Sequence, residues 1–253
     1  MFTLLRQEAF KLRKQNHAWW ILLIPIIIPL YIIYRHPASY DFSSLALGFN
    51  FSTFVFYMVA AVFLSQEFRY GTIRPLLSRS YSRAKVFFSK VIVLFAYYLL
   101  MIGTALASTL IAGRLYGHLT ITKTMWLALF VNLWTELLID LFFVALILMA
   151  TNAAKSGAAA MIVAVFLVLG NVILMAVSRH LIQIWSGFKW NPFALFYCIV
   201  ESGDSAYANN WPKFANYLHA VTGLTPNVVI LVCVFYIFLA YYIAFLIFKR
   251  RSV

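Results

Sequence analysis

Long apolar runs alternate with short polar stretches along most of the chain. Six of the runs come near the roughly 20 residues that a bilayer-spanning helix needs. They cover residues 18–34, 48–66, 87–112, 125–150, 157–178 and 227–248. The pattern predicts an all-α polytopic membrane protein, with six transmembrane helices in a single transmembrane domain over residues 1–253. Pro25 and Pro29 fall on one face of the first run and should kink it. Neighbouring helices can satisfy the carbonyls that such prolines free, so the span survives them.

Two further segments are neither spans nor ordinary loops. Over residues 2–14, Phe2, Leu5, Ala9 and Leu12 lie along one helical face, with Gln7, Lys11 and Lys14 opposite. Arg6 and Arg13 stand at the border, where long side chains snorkel. Residues 1–16 are therefore expected to form an interfacial amphipathic helix. The second segment, 179–226, holds an aromatic-rich apolar run of about ten residues, too short to span. It is expected to form a short re-entrant or interfacial helix between the fifth and sixth spans. Trp185, Trp190 and Trp211 suit the membrane-interface belt.

Composition agrees with the pattern. The chain is 64% hydrophobic and 11% charged, whereas soluble domains carry about 25% charged residues. The net charge of +13 is spread through short loops beside apolar runs, which indicates membrane topology rather than nucleic-acid binding. Fourteen cations fall on the side holding both termini, residues 67–90 and Lys155, and six on the other. The positive-inside rule then places both termini in the cytoplasm, in a multi-pass protein of the plasma membrane. No cleavable leader is expected, because the first apolar run lacks a small-residue cleavage site.

Residues 67–90 read EFRYGTIRPLLSRSYSRAKVFFSK, with six cations against one carboxylate, Glu67. Gly71 permits a turn, Thr72 can cap a helix, and Pro75 is tolerated in a first helical turn. The stretch TIRPLLSRS is thus expected to form a short helix across the membrane surface, its apolar edge made by Ile73, Leu76 and Leu77. Lipid phosphates alone could hold its arginines; the apolar edge suggests a protein groove as well.

Glu67, Gly71-Thr72, Leu76-Leu77, Ser82-Arg83 and Lys90 together resemble the connector pattern of permease subunits of type-2 ATP-binding-cassette (ABC) exporters. The amphipathic start LLRQEAFKLRK and the pair Asn191-Pro192 agree with it. The resemblance implies that residues 67–86 form a cytoplasmic coupling segment. In it Glu67, Gly71, Thr72, Ile73, Leu76 and Leu77 would dock on a separate ATPase subunit. It further implies two ATPase copies, a second permease subunit forming a homo- or heterodimer, and the transport path at the permease interface. ATP and Mg would be bound by the partner ATPase, with no cofactor in this chain. No G-x4-G-K-[ST] phosphate loop is present, and none of the five histidines has H-x3-H or HExxH spacing. Neither enzymatic activity nor a metal site is expected. Cys198 and Cys233 form no CxxC motif, so neither a disulfide nor a metal site is expected there.

Asn132, Glu136 and Asp140 recur every four residues in the fourth run and stack on one helical face. A charge at mid-span costs about 2.5–3.5 kcal/mol on insertion scales, so these residues should not face lipid. They could bind neighbouring helices as structural glue, line the substrate path, or carry protons. Asn171, Thr104, Ser108 and Thr109 are candidate partners. The resulting expectation is an ATP-driven exporter permease moving an amphiphilic peptide or drug outward. The alternatives are a proton-coupled secondary transporter using Glu136 and Asp140, and a lipid or glycan precursor as cargo.

Overall fold

In a computed structural model of the chain, the structure describes residues 2–35, 53, 56–65, 81–116, 122–154, 157–203 and 211–250. Each regular element among them is helical. In chain order these are α1 (Phe2–Arg13), α2 (Asn16–Arg35), α3 (Phe56–Ser65), α4 (Arg83–Tyr116), α5 (Lys123–Ala153) and α6 (Gly157–Ile184). A short 3-10 helix, Ser186–Trp190, leads into α7 (Pro192–Gly203), α8 (Trp211–Thr222) and α9 (Pro226–Arg250).

Local chemistry sets the boundaries of these helices. The Ser82 hydroxyl accepts from the Lys85 amide at 3.3 Å and so caps the start of α4. At α7, Asn191 caps with its Oδ1, accepting from the Phe193 amide at 3.0 Å. Pro192 follows at the first helical position, where its missing N–H costs nothing. The helix α8 ends at Gly223, whose φ of 68° is the left-handed conformation that glycine adopts freely. Its amide closes on the His219 carbonyl at 2.8 Å.

The expectation of six transmembrane helices is corrected. Among the described residues, three helical stretches are long and apolar enough to cross a membrane: Arg83–Ile111, Leu129–Ala153 and Pro226–Arg250. They correspond to the expected spans at 87–112, 125–150 and 227–248. The apolar helices Ala18–Ile28 and Phe56–Ser65, within the expected spans 18–34 and 48–66, belong to a class of 10–17 residues. The expected span 157–178 lies within α6, which is not among the three qualifying stretches. Among the described residues, no re-entrant loop is identified between the fifth and sixth expected spans. The described part of that segment forms the end of α6, the 3-10 helix, α7 and α8, with Pro192–Glu201 in the shorter apolar class.

The helices build two compact units. The first comprises Met1–Leu119, Leu146–Val165 and Tyr241–Val253, and in it α2 packs along α4 while α1 lies against both. Phe56 of α3 stacks on Tyr97 of α4 with ring centroids 6.1 Å apart. The Tyr97 hydroxyl donates to the Ala18 carbonyl at 2.6 Å. Near the other end of the unit, the buried Asn152 amide donates to the Ala244 carbonyl at 3.3 Å, tying α5 to α9.

Pro29 has no N–H, so the Pro25 carbonyl one turn earlier loses its helical donor. The hydroxyl of Ser108 on α4 stands 2.7 Å from that carbonyl and 2.9 Å from Ala105 O, its single proton shared between them. The carbonyl that Pro29 frees is thereby satisfied by a partner helix.

The second unit comprises Thr120–Ala145 and Phe166–Ala240. Its core joins the first part of α5 to α7, with Phe142 stacked on Phe196 at 4.7 Å and set edge-on to Phe193 at 5.9 Å. Tyr217 of α8 donates to the Glu201 carboxylate of α7. The Tyr236 hydroxyl of α9 donates to the Trp190 carbonyl at 2.6 Å.

Replacing Ser108 by alanine removes the donor and leaves the Pro25 carbonyl unsatisfied in an apolar setting. Ser108→Ala is expected to destabilise the protein by about 1–3 kcal/mol, with Ser108→Thr losing much less. Unfolding in detergent, followed by circular dichroism, checks both; equal stability of Ser108→Ala and wild type would refute this role for Ser108.

Candidate functional site

The basic connector leaves the described residues at Ser65 and rejoins them at Tyr81. Consequently Glu67, Gly71, Thr72, Ile73, Leu76 and Leu77 lie outside the described residues. Its exit, however, is fully described, and three residues of the sequence pattern meet there. Ser82 caps α4. Arg83 donates from Nη1 to the Lys249 carbonyl at 2.5 Å, a cation on a C-terminal carbonyl of α9. One turn on, Phe87 packs edge-on to Phe245 at 5.5 Å and against Phe248 at 5.8 Å.

The third residue is Lys90, which is 5% exposed. Its ammonium lies 3.2 Å from Oε2 of Glu8 on α1 and 4.8 Å from the centroid of the Phe63 ring on α3. Glu8 is 0% exposed. Its other oxygen, Oε1, accepts from Lys11 at 2.5 Å. One carboxylate thus holds two ammonium groups, one from its own helix and one from the helix that follows the connector. Removing one partner of such a buried pair strands a charge, which costs several kcal/mol. The cluster ties α1, α3 and α4 together at the exit of the connector.

This arrangement alters the face expected for α1. Its buried residues are Leu4, Glu8 and Leu12, at i, i+4 and i+8, whereas Phe2 is 81% exposed and Ala9 is exposed. The charged pair decides which way the helix faces. Sequence reasoning passed over Glu8. The available signal was that stripe, together with a lone carboxylate in an otherwise cationic segment.

The polar stripe of α5 belongs to the second unit. Asp140 is 2% exposed, while Asn132 and Glu136 are half-buried. The buried Thr135 hydroxyl donates to the Asn132 carbonyl at 2.9 Å. Asp140 stands in the stretch that carries Phe142 and Phe143, which packs on α7. Burial in an apolar helix requires a carboxyl group to find partners within the protein, and neither Glu136 nor Asp140 lacks one. Asn171 lies on α6, its side chain outside the described residues. The hydroxyls of Thr104 and Thr109 bond to Met101 and Ala105 carbonyls of their own helix, and that of Ser108 to Pro25 and Ala105. Cys198 and Cys233 are buried free thiols. Among the described residues, no group of three or more His, Cys, Asp or Glu could hold a metal ion.

A family model described as ABC-2 family transporter protein matches residues 4–171 of the 253. The chain belongs to the ABC-2 transporter family. The matched range contains Glu8, Lys90, the connector and the polar stripe of α5. An ABC-2 chain is a multi-span, all-α membrane protein, a non-catalytic permease component whose membership implies association with an ATP-binding-cassette ATPase. No curated protein matches it.

The geometry of the ABC-2 chain ranks three substitutions. Glu8→Leu alone strands Lys90 and is expected to cost about 3–5 kcal/mol of stability. Lys90→Met should cost less, because Glu8 keeps Lys11. The double variant Glu8→Leu/Lys90→Met should recover most of the loss. A double-mutant cycle by denaturant unfolding in detergent measures the coupling. Additive effects would show that the pair contributes nothing.

Proposed function

We propose that this ABC-2 chain is the permease subunit of an ATP-driven exporter of the plasma membrane, with both termini in the cytoplasm. Two copies of a separate ATPase would supply the energy, and two permease subunits would form the path, the second identical or related. The cargo is an amphiphilic peptide or drug moved outward. Residues 67–86 are the coupling segment, with Gly71 giving the turn, Thr72 the helix cap, and Ile73, Leu76 and Leu77 the apolar anchor. Glu67 is a polar hold at the membrane end.

The observation that carries this reading is the anchoring of the connector's exit. A segment that receives a push from a partner transmits it only if its far end is fixed to something stiff. Ser82, Arg83 and Lys90 fix it within nine residues, through a cap, a bond to Lys249 and the buried pair with Glu8. A loop that served only to carry topology charges has no need of a desolvated ion pair at its root.

The polar stripe is assigned to the path. Asn132 and Glu136, half-buried, offer hydrogen-bond acceptors to cationic groups on a cargo, with Asp140 deeper in the helix packing and Asn171 a further contributor. An antiporter would draw on the same carboxylates, but would run without the ATPase.

Two outcomes are expected. Leu76→Asp or Gly71→Val should dissociate the ATPase while the permease still inserts. A lost apolar anchor is worth about 2 kcal/mol or more, near thirtyfold in affinity, and Arg79→Gln should change little. Co-purification and cargo-stimulated ATP hydrolysis in liposomes test this; wild-type behaviour of Leu76→Asp would remove the coupling role. Separately, Glu136→Gln and Asp140→Asn should leave ATPase assembly intact and alter transport or cargo preference. Normal transport of each candidate cargo by both variants would return the stripe to a structural role. Transport that persists with a hydrolysis-dead ATPase and follows an imposed proton gradient would favour the antiporter.

A further inference from the structure

Where α1 turns into α2, the first unit leaves an apolar groove of about 310 Å³. Its walls are Leu12 of α1, Ala18 and Leu22 of α2, and Val93, Tyr97 and Leu100 of α4. The volume sits at the lower end of the roughly 300–1,000 Å³ typical of small-molecule sites. Leu100 is half exposed, so one wall of the groove continues onto the outer, apolar surface of α4. Beside the groove, and sharing Arg13 and Trp19 with it, is a hollow of about 450 Å³ lined by Phe10, Arg13, Lys14 and Trp19.

Among the described residues, the charges at this mouth have one sign. Arg13 and Lys14 are exposed, and among the described residues no carboxylate lines the groove or the hollow. The nearby carboxylate of Glu8 is turned inward and held by Lys11 and Lys90. The mouth is also built rather than loose. The Trp19 indole donates to the Arg13 carbonyl at 2.8 Å, and the Lys14 ammonium lies 5.6 Å from the Phe10 ring centroid. A cationic mouth with an indole at its edge, opening into an apolar slot, matches one kind of occupant. It fits a molecule with an anionic head and a hydrocarbon tail, and tryptophan at that depth marks the headgroup level.

We propose that this groove is a binding site for one anionic phospholipid, its phosphate between Arg13 and Lys14 and one acyl chain lying along Leu22, Val93 and Leu100. Zwitterionic lipid fills the slot less well, because its own cationic group meets Arg13 and Lys14. None of the lining residues belongs to the coupling segment or the α5 stripe, and the site does not depend on the transport reading.

Trp19 stands at the mouth and serves as the reporter. The full chain is reconstituted in phosphatidylcholine vesicles, with acyl-brominated phosphatidylglycerol or acyl-brominated phosphatidylcholine added in increasing mole fraction. Subtracting the signal of Trp19→Phe isolates the quenching of Trp19. Brominated phosphatidylglycerol should reach half-quenching at a mole fraction lower by about fivefold or more, the equivalent of one cation's attraction at a membrane surface. Arg13→Gln/Lys14→Gln should abolish that difference while quenching by phosphatidylcholine persists; both residues are exposed, so the fold should tolerate the change. Ala96→Phe, which fills the groove, should weaken quenching by both lipids. Equal quenching by the two lipids in the wild type would mean bulk lipid contact only and overturns the proposal. So does a preference for phosphatidylglycerol that survives Arg13→Gln/Lys14→Gln. Protection of Trp19 from both lipids in a self-associated protein would give the groove to a second copy of the chain, and overturns it equally.

Discussion

A single buried carboxylate organises one end of this protein. Glu8 sits in a protein interior with both oxygens engaged, by Lys11 at 2.5 Å and Lys90 at 3.2 Å. A charge so placed has few tolerable geometries, because each alternative orientation strands it or its partners away from water. That constraint fixes the rotation of α1 about its own axis, which in turn sets Leu4 and Leu12 inward and Phe2 outward. It also fixes α1 against α4, and so places the turn into α2 and the groove beside it. Apolar contacts alone would hold α1 in place without choosing its rotation so sharply.

The same pair connects sequence pattern to mechanics. Ser82, Arg83 and Lys90 stand out in the chain as pieces of a family pattern, and each has its own physical task within three turns of helix. The hydroxyl of Ser82 starts the helix, the guanidinium of Arg83 binds the end of α9, and the ammonium of Lys90 neutralises Glu8. Stiffness at the base of a connector is a property of all three together.

Much of the α-helical character was legible because apolar runs and caps are local. Asn191 followed by Pro192 marks a helix start in sequence and in structure. Two features were not legible. The partner of Glu8 is 82 residues away, and no periodicity encodes a pairing at that separation. The other is the number of qualifying spans, three among the described residues against six apolar runs in the sequence. Of the candidate site, the α5 stripe was visible from its spacing of four. The burial gradient from Asn132 to Asp140 is a tertiary property, set by the packing of Phe142 on α7.

The bond from Ser108 to Pro25 has a consequence for how the protein is made. The acceptor lies 83 residues ahead of its donor, so a growing chain produces α2 long before α4 exists. In that interval α2 carries a carbonyl that its own backbone cannot satisfy, in a setting that offers little water. Hydrophobic composition alone therefore overstates how readily α2 settles by itself. Its final depth and tilt are decided when α4 arrives, and assembly of the pair belongs to insertion rather than following it.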